Sequence, residues 1–142
     1  MTDKQQFSAQ LSELGSMLEF ILSHLDRAGF DSQERARFEV GAEEALVNVV
    51  NYGYPDRDPG VIEISCRDLD GGTIEVVIQD DGIPYDPLAN APKVDPQAPL
   101  EKVTYGGYGI YLIQKVMDHC SYRYTDQKNT LILRKTPLNN QG

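Results

Sequence analysis

The stretch Glu43-Glu44-Ala45-Leu46-Val47-Asn48-Val49-Val50-Asn51-Tyr52-Gly53-Tyr54 decides how the chain is read. It has the spacing of the end of an amphipathic helix, yet it carries carboxylates and amides where a plain core helix would carry none. Residues four apart lie one above the other on a helix, so Glu44 and Asn48 are neighbours, with Asn51 and Tyr52 a turn further on. Leu46, Val47, Val49 and Val50 surround Asn48 with apolar side chains. A carboxylate and an amide in such company are destabilising by a few kcal/mol unless the protein or a ligand satisfies them.

Working back from that stretch, the helix starts at Asp31-Ser32, where Glu34 completes a capping box, and it ends near Tyr52 because Gly53 and Pro55 follow. An earlier helix is marked by Leu11, Leu14, Leu18, Phe20-Ile21-Leu22 and Leu25, at spacings of three and four, and Gly29 suits its C-terminal cap. Gln5-Gln6-Phe7-Ser8 reads as a short edge strand.

Working forward, Val61 to Leu69 and Thr73 to Gln79 are β-rich, and Asp70-Gly71-Gly72 turns between them. Alternation puts Ile62, Ile64 and Cys66 on one face of the first strand, and Ile74, Val76 and Ile78 on the core face of the second. Asp80 continues that inward parity and Asp81 points outward. An inward carboxylate at a strand end needs a donor.

Residues 83–105 hold Pro84, Pro87, Pro92, Pro96 and Pro99 and no periodicity, which suggests a lid or binding loop, with a floppy insertion as the plainer alternative. Tyr105-Gly106-Gly107-Tyr108-Gly109 then opens a third helix with an apolar stripe at Ile110, Ile113, Val116 and Met117. Ser121 to Thr125 and Thr130 to Lys135 form a closing hairpin across Asp126-Gln127-Lys128-Asn129, and the tail from Pro137 frays. Segregated helices and antiparallel strands predict an α+β sandwich of two layers, a mixed and mostly antiparallel sheet covered on one face by three helices.

Composition narrows the function. With 142 residues, 40% of them hydrophobic, the chain is read as one domain, with its core at about 8–135 and the lid at about 83–105. A net charge of -9 argues against direct nucleic-acid binding, which rests on clustered Lys and Arg, and suits either a basic protein partner or solubility alone. No apolar run approaches the ~20 residues of a membrane span. A polar N-terminus without a signal-peptide core places the chain in the cytoplasm. Cys66 and Cys120 are too few for a disulfide framework or metal cluster and read as buried thiols. His24 and His119 read as helix-packing residues.

Three features carry chemistry. The glycine turn before the third helix offers free N–H groups and the positive end of the helix dipole to an anion, with a spacing that is neither a dinucleotide fingerprint nor a P-loop. Asp80-x-Gly82 can accept from an exocyclic amine while Gly82 lets the backbone pass close by. In Glu44-x-x-x-Asn48 an amide oxygen can serve a hard cation, and the carboxylate can orient or deprotonate a nucleophile. Taken singly, each is as readily an anion-free turn, an aspartate-led turn or an internally paired polar patch.

Their joint order resembles the N, G1 and G2 boxes of the GHKL (Bergerat-fold) ATPases, and within them the small anti-sigma-factor serine kinases of bacterial partner switching. Supporting detail comes from Glu44-Ala45 with Asn48, Gly53-Tyr54, Asp80-Asp81-Gly82 with Asp86-Pro87-Leu88, Gly106 to Ile113, and Asn129-Thr130-Leu131. The resemblance implies ATP and Mg²⁺ as cofactors. Glu44 would be the general base and Asn48 would hold Mg²⁺ against the phosphates. Asp80 would take the adenine amine beside Gly82. Gly107, Gly109 and Ile110 would meet the phosphates under the lid, and Thr130 would lie near the adenine. It further implies phosphoryl transfer to a serine of an anti-sigma-factor antagonist with a STAS-like fold, binding to a sigma factor, and a homodimer. The chain departs from the boxes at Tyr52, where the family has His, at Pro84, where it has Gly, and at Tyr85, where it has Phe.

Two rival readings stand beside the kinase. One is a non-catalytic, nucleotide-dependent module that sequesters a sigma factor or other partner. The other, the ATPase part of a sensor histidine kinase, lacks a phospho-accepting helix pair in this sequence.

Overall fold

The computed structural model describes residues 2–55, 58–88 and 113–138. Strand β1 (Thr2–Ser8) leads through a short 3₁₀ turn into helix α1 (Leu14–Ala28) and helix α2 (Ser32–Gly53). A hairpin of β2 (Val61–Asp68) and β3 (Ile74–Asp80) follows, and a second hairpin, β4 (His119–Thr125) and β5 (Lys128–Lys135), closes the fold. Residues 113–116 are helical.

Helix ends follow the local chemistry. Gly29 takes the left-handed conformation at φ 88°, and the N–H groups of Gly29 and Phe30 donate to the carbonyls of Asp26 and Leu25. That is a Schellman ending, with buried Phe30 and Leu25 supplying its apolar contact. Asp31 caps α2 by accepting from the Glu34 N–H at 2.8 Å. Glu34 does not reach back to complete the capping box. Its Oε2 accepts from the Leu138 N–H at 2.9 Å, and so ties the C-terminal segment to the start of α2.

The five strands run in the order β1-β2-β3-β5-β4. Every pairing among the described strands is antiparallel, so the parallel component expected of a mixed sheet does not occur among them. Strand β1 starts earlier than the sequence suggests, at Thr2, and pairs with β2 along its whole length.

Register sets the two faces. Ile62, Ile64 and Cys66 of β2, Ile74, Val76 and Ile78 of β3, and Leu131 and Leu133 of β5 are all buried. They meet Met17, Ile21 and Leu25 of α1 and Phe38, Ala42, Ala45, Leu46 and Val49 of α2 in one apolar core. Each fully buried aliphatic side chain there contributes about 1.5–3 kcal/mol relative to exposure. Cys66 is a buried free thiol, and Cys120 is a half-buried one. His24 lies on α1, edge-on to Phe20 and 3.1 Å from Asp3. His119 is exposed at the start of β4 instead of packing in a helix.

The second hairpin is tighter than expected. Asp126 and Gln127 both have positive φ, 54° and 63°, as a two-residue type I′ turn requires. Lys128 and Asn129 therefore belong to β5 and not to the turn.

Candidate functional site

The last residue of β3 and the end of α2 build the site together. Asp80 is 3% exposed and faces the helices, as its parity with Ile74, Val76 and Ile78 requires. Its Oδ1 accepts from the Gly82 N–H at 2.9 Å and from Asn129 Nδ2 at 3.0 Å. Burial raises its pKa, outweighing the hydrogen bonds from Asn129 and Gly82 that lower it. Both donors converge on one oxygen, and among the described residues none donates to Oδ2.

Gly82 is where α2 and this loop touch. A Cβ there would lie 2.5 Å from the Gly53 carbonyl oxygen and 2.9 Å from its Cα, so only glycine fits. The Ile83 N–H donates to that same Gly53 carbonyl at 2.8 Å, fixing the loop onto the C-terminal turn of α2. Asn48 lies five residues before Gly53, about 7–8 Å back along the axis of the same helix.

Adjacent Asp81 does a different job. Its Oδ1 accepts from Tyr54 Oη at 2.6 Å and from the Val61 N–H at 3.1 Å. Burial pushes its pKa up, but these hydrogen bonds pull harder and the net shift is downward. Burial and the Asp81 hydrogen bond in turn raise the Tyr54 hydroxyl well above the usual tyrosine range. Asp81 thus anchors the segment after α2 to the start of β2, while Asp80 faces the helices.

On α2, Asn48 Nδ2 donates to Glu44 Oε1 at 3.5 Å, a long contact. Glu44 is half-buried. Burial raises its pKa, the Asn48 contact lowers it, and neighbouring Glu43 raises it further. A carboxylate shifted this way is a better proton acceptor than an ordinary glutamate.

Asn129, which the sequence offered only within Asn129-Thr130-Leu131, is the residue to which sequence reasoning gave no role in the site. It pairs directly with Asp80 across β3 and β5 and is 4% exposed. Its Nδ2 also donates to the carbonyls of Ile83 at 2.8 Å and Gly82 at 3.3 Å. Its Oδ1 accepts from the Tyr85 N–H at 3.0 Å and from the Tyr122 hydroxyl. One amide side chain thus holds the loop 82–85, Asp80 and β4 together. The signal for it was the Asp126-Gln127 dipeptide, which can close a two-residue turn.

Thr130 does not join this group. Its Oγ1 accepts from Gln79 Nε2 at 3.1 Å on the opposite face of the sheet, turned away from Asp80. Gly107, Gly109 and Ile110 lie outside the described residues, as do residues 89–105 of the expected lid. Two of the positions that depart from the family boxes meet each other: Tyr52 and Tyr85 stack with ring centroids 5.1 Å apart at 26°.

Among the described residues there is no cluster of three His, Cys, Asp or Glu to hold a metal by itself. One amide oxygen from Asn48 fits Mg²⁺, which takes few protein ligands and completes its shell with water and phosphate oxygens. Among the described residues, no helix is long and apolar enough to cross a membrane.

The family profile described as "Histidine kinase-like ATPase domain" matches residues 7–135. The chain belongs to that family. The chain is 30% identical over 131 residues to the serine-protein kinase RsbW of Staphylococcus aureus, covering 87% of this chain and 80% of that one. It is 32% identical over 96 residues to the RsbW of Oceanobacillus iheyensis, covering 66% of this chain and 60% of the relative's length. The anti-sigma F factor of Priestia megaterium is 26% identical over 143 residues, with 96% and 95% coverage. Among solved structures, the RsbU and RsbW domains of a Mycobacterium tuberculosis protein superpose with a TM-score of 0.63 at 13% identity, over 94% of this chain and 32% of that one. A blue-light-activated histidine kinase domain from Erythrobacter litoralis gives 0.55 at 17% identity, over 90% and 62%. Those structures share the two-layer α+β fold.

Proposed function

We propose that the chain binds Mg²⁺-ATP and transfers the γ-phosphoryl group to a serine of an anti-sigma-factor antagonist with a STAS-like fold. It thereby acts as an anti-sigma-type serine kinase in a cytoplasmic partner-switching pathway. The observation that carries this reading is the junction at Gly82. It joins the buried carboxylate of Asp80 to the end of the helix that bears Glu44 and Asn48. A base-reading carboxylate and a cation-binding amide on one rigid unit are what a nucleotide needs.

In this scheme Asp80 accepts from the exocyclic amine of adenine, and Gly82 lets the base approach the backbone. Asn48 offers its oxygen to Mg²⁺, which when bound neutralises charge on the phosphates. Glu44 takes the proton of the attacking serine hydroxyl, a role to which its raised pKa is suited. Gly107, Gly109 and Ile110 are assigned to the phosphates by the family's glycine box. The base-side contact assigned to Thr130 from sequence is better given to Asn129, which stands beside Asp80. Catalysis rests on positioning and charge neutralisation, as in phosphoryl transfer generally.

The test is incubation with γ-labelled ATP, Mg²⁺ and a STAS-domain antagonist. Label should appear on the antagonist with wild type and fall at least ~100-fold with Glu44→Ala, the scale of a lost general base. Tight nucleotide binding without transfer in either protein would instead mark a sequestering module.

A further inference from the structure

The outer face of the sheet carries charge opposite to that of the chain as a whole. Both α1 and α2 pack on the inner face, and among the described residues no helix covers the outer one. A shallow cavity of about 380 Å³ lies there, bordered by Lys4, Arg67, Arg123 and Arg134, with Val77 and Ile132 among its lining. The chain as a whole carries a net charge of -9.

The one acid in that lining is already neutralised. Glu75 is 6% exposed; its Oε2 accepts from Arg134 Nε at 2.7 Å, and its Oε1 forms an ion pair with Arg67 Nη2 at 2.8 Å. These three residues form a cross-strand row on β2, β3 and β5, and the row retains a positive excess with spare guanidinium N–H groups. Lys4 is largely exposed and reaches Glu63 only at 3.9 Å. Arg123 has no acceptor among the described residues.

We infer that this face docks an acidic segment of a protein partner. From Lys4 on β1 to Arg123 on β4 the sheet spans four inter-strand steps, about 19 Å at ~4.8 Å each. An extended segment of about six residues crosses that width. Carboxylates can then pair with the outer cations while apolar stems rest on Val77 and Ile132. A nucleic acid fits less well, because its uniform charge runs beyond the patch onto an acidic surface. The site is separate from the nucleotide site, since Asp80 points to the other face.

The experiment titrates the full chain into a fluorescein-labelled peptide rich in Asp and Glu and follows anisotropy at low salt. The controls are the same peptide with Asn and Gln in place of the acids, and a labelled single-stranded oligonucleotide. The comparison variant is Lys4→Glu with Arg123→Glu, which leaves the Arg67–Glu75–Arg134 row intact. The expected result is salt-sensitive binding of the acidic peptide alone, weakened at least about tenfold in the variant, whose melting temperature stays that of wild type. Absence of binding, equal affinity in the variant, or oligonucleotide binding as tight as the peptide's would overturn the inference. So would sedimentation showing a dimer that the same substitutions dissociate, because a second copy would then occupy the face.

Discussion

Asn129 donates from Nδ2 to Oδ1 of Asp80 at 3.0 Å, directly across the β3–β5 pair. The two side chains share the inner face of the sheet, and the loop that follows Asp80 is held by the same amide. Replacement by alanine removes the donor to Asp80 and the acceptor for the Tyr85 N–H. Asn129→Ala should destabilise the protein by about 1–3 kcal/mol, the range for orphaned buried polar groups. Urea unfolding measures the loss. Nucleotide affinity should fall with it, because loop 82–85 is released; an unchanged affinity would separate the loop from the base site.

The raised pKa of Asp80 has a definite sign. A carboxyl whose folded pKa exceeds its unfolded value binds protons more readily in the folded state. Its contribution is full below the unfolded value near ~3.9 and is lost as pH rises through the folded one. At neutral pH the ionised, buried Asp80 therefore works against stability. Asp80→Asn should raise the melting temperature of the nucleotide-free protein at pH 7. That advantage should shrink as pH falls through the window just above the ordinary aspartate value. An advantage that stayed constant down to pH 3 would mean that charge is not its cause.

Gly82 is fixed by backbone and not by a movable side chain. With a Cβ held 2.5 Å from the Gly53 carbonyl oxygen, Gly82→Ala must push the loop off α2. Overpacking of this kind costs about 1–3 kcal/mol. Thermal unfolding should show the loss, and calorimetry should show weakened nucleotide binding.

At the second hairpin, Gln127 sits at φ 63° without the freedom of glycine. Gln127→Gly removes left-handed strain worth roughly 1–2 kcal/mol, partly offset by the greater unfolded-state entropy of glycine. A net gain of about 0.5–1 kcal/mol in urea is expected, with nucleotide binding unchanged.

These residues also show what could be read without coordinates. Gly29 and Asp31 marked the helix ends because capping is local chemistry, and strand parity separated inward Asp80 from Asp81. The paired use of Glu34 was not legible, because its partner, the Leu138 N–H, lies far along the chain. Asn129 escaped for a different reason. Placing it in a four-residue turn left Thr130 to begin the strand, and a turn shortened to Asp126-Gln127 assigns the inward position to Asn129. Tyr52 and Tyr85 looked like independent departures from the boxes, and only the fold stacks them.

The most direct test of the account is calorimetric titration of the purified chain with ATP and with GTP, each with Mg²⁺, repeated on Asp80→Asn. The account predicts saturable ATP binding, little or no GTP binding, and loss of ATP binding in the variant while its fold is retained. No binding of ATP to the wild type, or equal binding by wild type and Asp80→Asn, would contradict it.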